Sequence, residues 1–378
     1  MINDLKKLLT CLILIIQVKV VKIKINYQWE SCFMQKTILS LAIAASIVTP
    51  GLVFAGDAYV YGHGQVEIGS YGADGDGTTV ADNARGRIGF AANDDLGNGL
   101  EGILKFEFKI DTADGDSDKK GGNISLQKRE NMVGLKGSFG QVELGRLKSA
   151  YKYTGGVKYD PYVATLLEAR GNAGMTGKVG AGNAFGHNAF INDSIAYQNK
   201  FGIATIRITY DLDDGGSASS TNAQGANALS ASLKLGGKKW EAFIALVDDD
   251  EDSASAKGNY SSTKLGGQFK MGKAGKFNAQ YEMSETDVSG ATTDIDTLYL
   301  DYQFKLSKKN TIDVAYGIET TSTTGSADVE RDFMRLALGH KFSKKTKVWA
   351  GLRNTNSDVN GEDEQVIVVG LQRRFDTK

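Results

Sequence analysis

The stretch Val133-Gly134-Leu135-Lys136-Gly137-Ser138-Phe139-Gly140-Gln141-Val142-Glu143-Leu144-Gly145-Arg146 decides how the rest of the chain is read. Two short alternating runs meet at a Phe139-Gly140 corner too tight for any helix, which predicts an antiparallel hairpin. Immediately afterwards the alternation stops. From Lys148 to about Ala189 no period is sustained, eight glycines occur, and Pro161 is the only proline after Pro50. An irregular stretch of this length inside a compact domain is expected only where the loop itself is functional.

Working outward, most of the chain after Gly56 alternates. Leu104, Phe106, Phe108 and Ile110 oppose Ile103, Lys105, Glu107 and Lys109. Ala204, Ile206, Ile208 and Tyr210 oppose Thr205, Arg207 and Thr209. Leu298, Leu300, Tyr302, Phe304 and Leu306 oppose Tyr299, Asp301, Gln303 and Lys305. This is strand period with one apolar and one polar face. Short, mostly basic corners (Gly236 to Lys239, Gly272 to Lys276, Ser307 to Asn310, Ser343 to Thr346) alternate with longer polar stretches rich in Asp, Ser, Thr and Gly. The count is sixteen strands: 57–71, 84–93, 99–110, 125–138, 141–147, 191–199, 201–211, 228–236, 238–247, 262–272, 275–284, 295–306, 309–319, 331–342, 346–354 and 364–375. A soluble sandwich would bury the apolar parity between two sheets. Here the polar parity carries many long charged side chains, and no helices are available to cover either face. The pattern therefore predicts an all-β, transmembrane, antiparallel 16-stranded β-barrel, apolar outside and polar inside. Phe269, Tyr281, Phe304, Phe342 and Phe375 fit an interfacial aromatic girdle.

The front end reads as an export signal. Lys36 supplies a positive n-region, Ile38 to Val48 an apolar h-region, and Pro50-Gly51 with Val53-Phe54-Ala55 a cut before Gly56. Residues 34–55 are thus expected to be a signal peptide and 56–378 the barrel. Residues 1–33 read as an upstream extension from a start codon set too early. The alternative is an anchor through Leu8–Val21, but Lys19 interrupts that run. The 378 residues hold 44 basic and 45 acidic side chains, and residues 1–55 account for six lysines and two acids. The mature portion is therefore mildly acidic, with 38 basic and 43 acidic residues. Both cysteines, Cys11 and Cys32, lie before Met34. An exported chain without cysteine is no disulfide scaffold, and its charge balance gives no support for nucleic acid as a partner.

Arg87-Ile88-Gly89-Phe90 with Asp95-Leu96-Gly97-Asn98-Gly99-Leu100, the hairpin from Val133 to Arg146, and Val369-Gly370-Leu371-Gln372-Arg373-Arg374-Phe375 together carry a resemblance. The chain resembles the general-diffusion porins of Gram-negative bacteria. That resemblance implies a homotrimer of barrels in the outer membrane, in contact with lipid and lipopolysaccharide. It implies passive diffusion of ions and small hydrophilic solutes, with no cofactor. It also implies that the third long loop folds into the barrel and that loop acids face basic wall residues.

The irregular stretch stands where that loop would be and supplies Asp160 and Glu168. Arg87 matches a basic wall position, and the period agrees, because Ile88 and Phe90 face out and Arg85 and Arg87 face in. Arg129 matches another, but it shares parity with Val133 and Leu135, so its placement in the lumen rests on the resemblance. His63 stands where relatives often carry lysine, which makes that position titratable near neutral pH. Lys105 and Arg207 face inward by period. Arg146 either ties down the base of the loop or lines the pore. Loop carboxylates favour cations and the basic wall favours anions, so selectivity stays open. Phe375, the usual terminal aromatic of the family, is followed here by Asp376-Thr377-Lys378, which bears on assembly.

Other readings are weaker. Gly97 to Gly102 fits a dinucleotide-binding glycine pattern, but a strand follows it where a helix is needed. Asp111 to Asp116 is similar to a calcium loop, yet position twelve is Gly122 and not glutamate. There is no nucleophile elbow, so an enzyme is not expected. Two alternatives use the same barrel. One is a substrate-selective channel with Tyr151, Tyr153, Tyr159 and Tyr162 as an aromatic slide; packing of those rings against the wall is the simpler account of them. The other is a plugged surface or adhesion barrel.

Overall fold

A computed structural model describes residues 56–72, 77–81, 86–110, 112, 126–177, 187, 190–212, 228–249, 259–288, 290–359 and 361–378. The expectations for residues 1–33 and 34–55, for Arg85, and for nearly all of the Asp111–Gly122 stretch fall outside these residues. The strands are β1 (Asp57–Tyr71), β2 (Gly77–Ala81), β3 (Gly86–Gly97), β4 (Leu100–Ile110), β5 (Gln127–Gly137), β6 (Gly140–Lys148), β7 (Phe190–Phe201), β8 (Ala204–Asp211) and β9 (Leu229–Gly236). They continue as β10 (Trp240–Asp249), β11 (Asn259–Lys270), β12 (Gly275–Val288), β13 (Ala291–Lys305), β14 (Asn310–Thr323), β15 (Val329–Lys341), β16 (Thr346–Ser357) and β17 (Glu364–Asp376).

Every pairing between successive strands is antiparallel, and β17 returns to pair with β1 from Tyr61↔Asp376 to Tyr71↔Val366, closing the sheet. β2 and β3 both pair with β1, at Glu67↔Ala81 and at Asp57↔Asn93 respectively, so the two short strands act as one stave. The barrel therefore has sixteen staves, as the alternation predicts. Closure removes the exposed edges that an open sheet of this size would present. Asp376 to Lys378 extend the final strand: the Thr377 amide donates to Val60 O at 3.0 Å, and the Val60 amide to Thr377 Oγ1 at 3.0 Å. The glycine run Gly97 to Gly102 is the β3–β4 turn and leads straight into a strand.

One parity faces outward. On β15 Met334, Leu336 and Leu338 are each more than half exposed, while Phe333, Arg335 and Ala337 are buried. The five girdle aromatics are all exposed. An apolar belt in contact with hydrocarbon is the stable arrangement for a closed sheet in a bilayer.

The opposite parity is less uniformly polar than the alternation implies. Three apolar clusters lie on it, and each includes residues between Ser149 and Gly177. Tyr151 packs with Ala245, Val247 and Tyr260; Tyr162, Leu166 and Leu167 with Trp349, Val366 and Val368; and Ala169, Ala173 and Met175 with Tyr299, Ala315 and Phe333. Burying such side chains contributes about 1.5–3 kcal/mol each relative to exposure.

Candidate functional site

The segment after β6 begins with a single helical turn, α1 (Ala150–Tyr153), capped by the Ser149 hydroxyl, which accepts from the Lys152 amide at 3.0 Å. A 3-10 turn follows at Gly156–Lys158. Gly155 and Gly156 both have positive φ, 62° and 54°. A Cβ on Gly155 would stand 2.1 Å from the Phe243 ring, so only glycine lets the chain press against β10 here. Gly155→Ala is expected to displace this turn and destabilise the segment by about 1–3 kcal/mol. Earlier proteolytic nicking at residues 152–158 of the folded barrel, relative to the unsubstituted protein, would show it.

Asp160 is the organiser of the segment. Its two carboxylate oxygens accept from the Tyr162 and Ala169 amides, each at 2.8 Å, and one of them also from Arg335 Nη1 at 2.8 Å. Arg335, on β15, further donates to Leu167 O (3.0 Å), Tyr299 OH (3.0 Å), Asp313 Oδ1 (2.8 Å) and Asp301 Oδ2 (3.2 Å). Glu168 accepts from the Ala164 amide at 2.8 Å and pairs with Arg170 at 2.7 Å. Both acids are nearly fully buried. The expected opposition of Asp160 and Glu168 to Arg87 and Arg129 is thus replaced. One acid is fastened to Arg335 and the other to Arg170 in its own segment.

The remaining expected residues are placed as follows. Arg87 (3.7 Å) and Arg129 (2.7 Å) share Glu107. Arg129 reaches the polar side although its parity with Val133 says otherwise, because β5 carries an extra residue there: Phe106 pairs with Asn131 but Phe108 with Lys128. A bulge of this kind inverts the facing of everything beyond it. Lys105 and Lys148 share Glu130, at 2.5 and 3.1 Å. Arg207 bonds Glu143 at 2.8 Å and lies 4.7 Å from the Tyr153 ring centre. His63 stands opposite Arg87 on β3 and Arg374 on β17. Arg146 donates to Phe190 O, at the start of the strand that follows the segment, and to the Asn192 side chain.

Sequence reasoning missed Lys148, Lys152, Lys158, Arg170 and Arg335. Four of these lie in or beside the aperiodic stretch, where no parity assigns a face. Arg335 is an arginine on the polar parity of β15, and that parity was a usable signal. Of the four loop tyrosines, Tyr151, Tyr159 and Tyr162 are buried against the wall, and Tyr153 is partly exposed.

Between wall and segment lies a cavity of about 220 Å³ lined by Arg87, Arg129, Lys148, Lys152, Lys158 and Arg170, with Tyr153, Val157, Val163 and Ala164. No acid among the described residues lines it. Among the described residues, carboxylates bonded to these cations are Glu107, Glu130 and Glu168. The cations of the lining outnumber these carboxylates. Lys158, 4.6 Å from the Tyr153 ring centre, has its ammonium pushed down to about 8 by burial, with the neighbouring cations adding to the effect. Raising the pH from 7 to 9 therefore removes one of these charges. Any anion preference of the cavity is expected to decline across that window, read as the shift of reversal potential in a salt gradient.

A second anchor lies on β12. Glu282 accepts from the Thr176 amide at 2.7 Å and contacts the His187 ring, while Lys264 sits 3.3 Å from His187 Nδ1. Burial pushes the His187 imidazole down to about 4. It is therefore neutral at physiological pH, and the arrangement fits Nε2–H donating to Glu282 with Nδ1 accepting from Lys264.

Comparison with known proteins agrees with this architecture. The Gram-negative porin family description matches residues 40–360. The chain is 40% identical over 81 residues to the major outer membrane protein P.IB of Neisseria meningitidis, a match covering 21% of this chain and 22% of that protein. It is 27% identical over 266 residues to outer membrane porin protein 32 of Delftia acidovorans, covering 64% and 70%. The anion-selective porin from Comamonas acidovorans superposes with a TM-score of 0.71 at 19% identity, covering 85% of this chain and all of that one. The aligned stretch thus spans about a fifth of the length of the first relative. The chain belongs to the Gram-negative porin family, whose named members here are outer-membrane proteins.

Proposed function

We propose that the chain forms a water-filled outer-membrane channel for passive diffusion of small hydrophilic solutes, with a preference for anions set where the segment Ser149–Gly177 narrows the lumen. The observation that carries this reading is the cavity lined by six cations and, among the described residues, no acid. In the constriction so formed, Arg87, Arg129, Lys148, Lys152, Lys158 and Arg170 supply the field. Lys105 and Arg207 stand behind them on the wall, paired with Glu130 and Glu143. Asp160 holds the segment to Arg335, and Arg146 ties its far end to β7. His63 stands on β1 opposite Arg87. A narrow passage with low-dielectric walls focuses such a field on the passing ion. The anion-selective porin with the matching fold is consistent with this reading. The family resemblance supports a homotrimer in contact with lipid and lipopolysaccharide.

Osmotic swelling of vesicles carrying the refolded Gly56–Lys378 chain tests the channel itself. Swelling should be fast with small neutral sugars and fall off with sugar size. A folded barrel that admits no solute would overturn the reading.

A further inference from the structure

On the other side of the Pro161–Ala164 turn lies a larger cavity of about 470 Å³, toward the short-turn end. Pro161 and Tyr162 border this one, whereas Val163 and Ala164 border the cavity described above. Its lining includes Lys341, Lys344, Lys345, Lys347, Arg374 and His340, again with no carboxylate among the described residues. Two of these cations are held in position by buried partners. Arg374 Nε donates to Gln372 Oε1 at 3.0 Å, and Gln372 is itself tied to Gln65 at 2.6 Å. Lys347 Nζ sits 5.0 Å from the Trp349 ring centre, and the Trp349 indole N–H is fixed by Glu67 at 2.9 Å. Lys345 reaches Asp376 at 3.0 Å, outside the lining. The surrounding field has the same sign. Across the four adjacent corners 238–239, 270–276, 305–309 and 341–345 there are eleven lysines and no acid.

We propose that this chamber is a binding site for small oligovalent oxyanions, phosphorylated or polycarboxylated, which engage Lys347 and Arg374 before reaching the constriction. The inference rests on the anion-channel reading and adds a station to it. Diffuse lysines on mobile stems would raise local anion concentration only. A guanidinium held by an amide relay and an ammonium held on a fixed indole are pre-organised, so a multiply charged ligand gains two charge-assisted contacts without first ordering them. Monovalent anions gain one contact and pass through. A solute with two or more charges is retained, and so occludes the path of smaller ions. Because the chamber opens toward the short turns, retention has a side: the ligand reaches it directly from that end and only through the constriction from the other.

The experiment is single-channel recording of the refolded chain in chloride, with inorganic tripolyphosphate, or citrate in a parallel arm, added to one chamber at a time. Orientation is fixed by Ser307→Cys, at the exposed β13–β14 corner of a mature chain without cysteine, labelled from one side with an impermeant reagent. Block is expected from the short-turn side at lower concentration than from the other. Lys347→Gln with Arg374→Gln should raise the half-blocking concentration about tenfold or more while leaving the open channel conducting. Block by tripolyphosphate alone would restrict the site to phosphates, and block by both would define it by charge. Block equal from both sides and insensitive to the double substitution would overturn the proposal and place the ligand in the constriction. So would an anion-selective channel that neither anion blocks. A channel that conducts but prefers cations would instead sink the underlying selectivity reading, and that outcome is distinguished by the reversal potential in the same recordings.

Discussion

Replacing Arg335 by alanine is expected to enlarge the open channel and make it noisy while the barrel still forms. Arg335 is buried and holds the segment at two points, Asp160 and Leu167 O, while satisfying Asp301 and Asp313 on neighbouring strands. Removing one partner from a buried charge network costs about 3–5 kcal/mol, because the remaining charges are left uncompensated. Here three carboxylates lose their common cation. The sixteen staves are joined by backbone hydrogen bonds and do not depend on it. The segment does, so it is the part expected to move. Conductance should rise, subconductance flicker should appear, and the substituted protein should keep the heat-modifiable electrophoretic mobility of a folded barrel. Arg335→Lys is a useful companion. It retains one charge but cannot fork between Asp160 and Asp313, and should fall between the two. Unchanged conductance in Arg335→Ala would mean that the apolar clusters hold the segment by themselves.

The second large effect concerns charge. Lys158→Glu with Arg87→Gln removes three units of positive charge from the lining of the 220 Å³ cavity, and the proposed preference for anions should collapse toward parity. A unit charge about 5 Å from a passing ion is worth roughly 0.8 kcal/mol in water and several times that at the lower effective dielectric of a protein wall. Three such charges are therefore ample for a several-fold ion preference, and screening over about 10 Å at 0.1 M salt makes the difference largest at low salt. Neither substitution orphans a buried acid, since Glu107 keeps Arg129 at 2.7 Å. A selectivity that survives the double substitution would mean that the short-turn lysines, and not the constriction, set it.

The fold was legible because a closed membrane sheet obeys one simple period. Leu298 to Leu306 facing out and Tyr299 to Lys305 facing in is enough to place β13, and repeating this around the chain gives the sixteen staves. Where the period breaks, it breaks for local reasons. Arg129 looked misplaced because one extra residue in β5 reverses its parity. The site was legible only in outline. Asp160 could be singled out as an acid in the aperiodic stretch, but its partner could not, because Arg335 lies 175 residues away and no local pattern couples them. Lys152 and Lys158 carry no parity at all, since single turns of helix rather than a strand position them. The apolar side chains Val366, Val368 and Trp349 on the inward parity were a readable sign that something packs there.

Whether the lumen is positive at its narrowest point can be read from the ion preference of the open channel. The refolded Gly56–Lys378 chain is placed in a planar bilayer separating dilute from concentrated potassium chloride at pH 7, and the reversal potential is read. A potential on the chloride side, falling as the pH is raised through about 8, is the predicted result. A potential on the potassium side would contradict it.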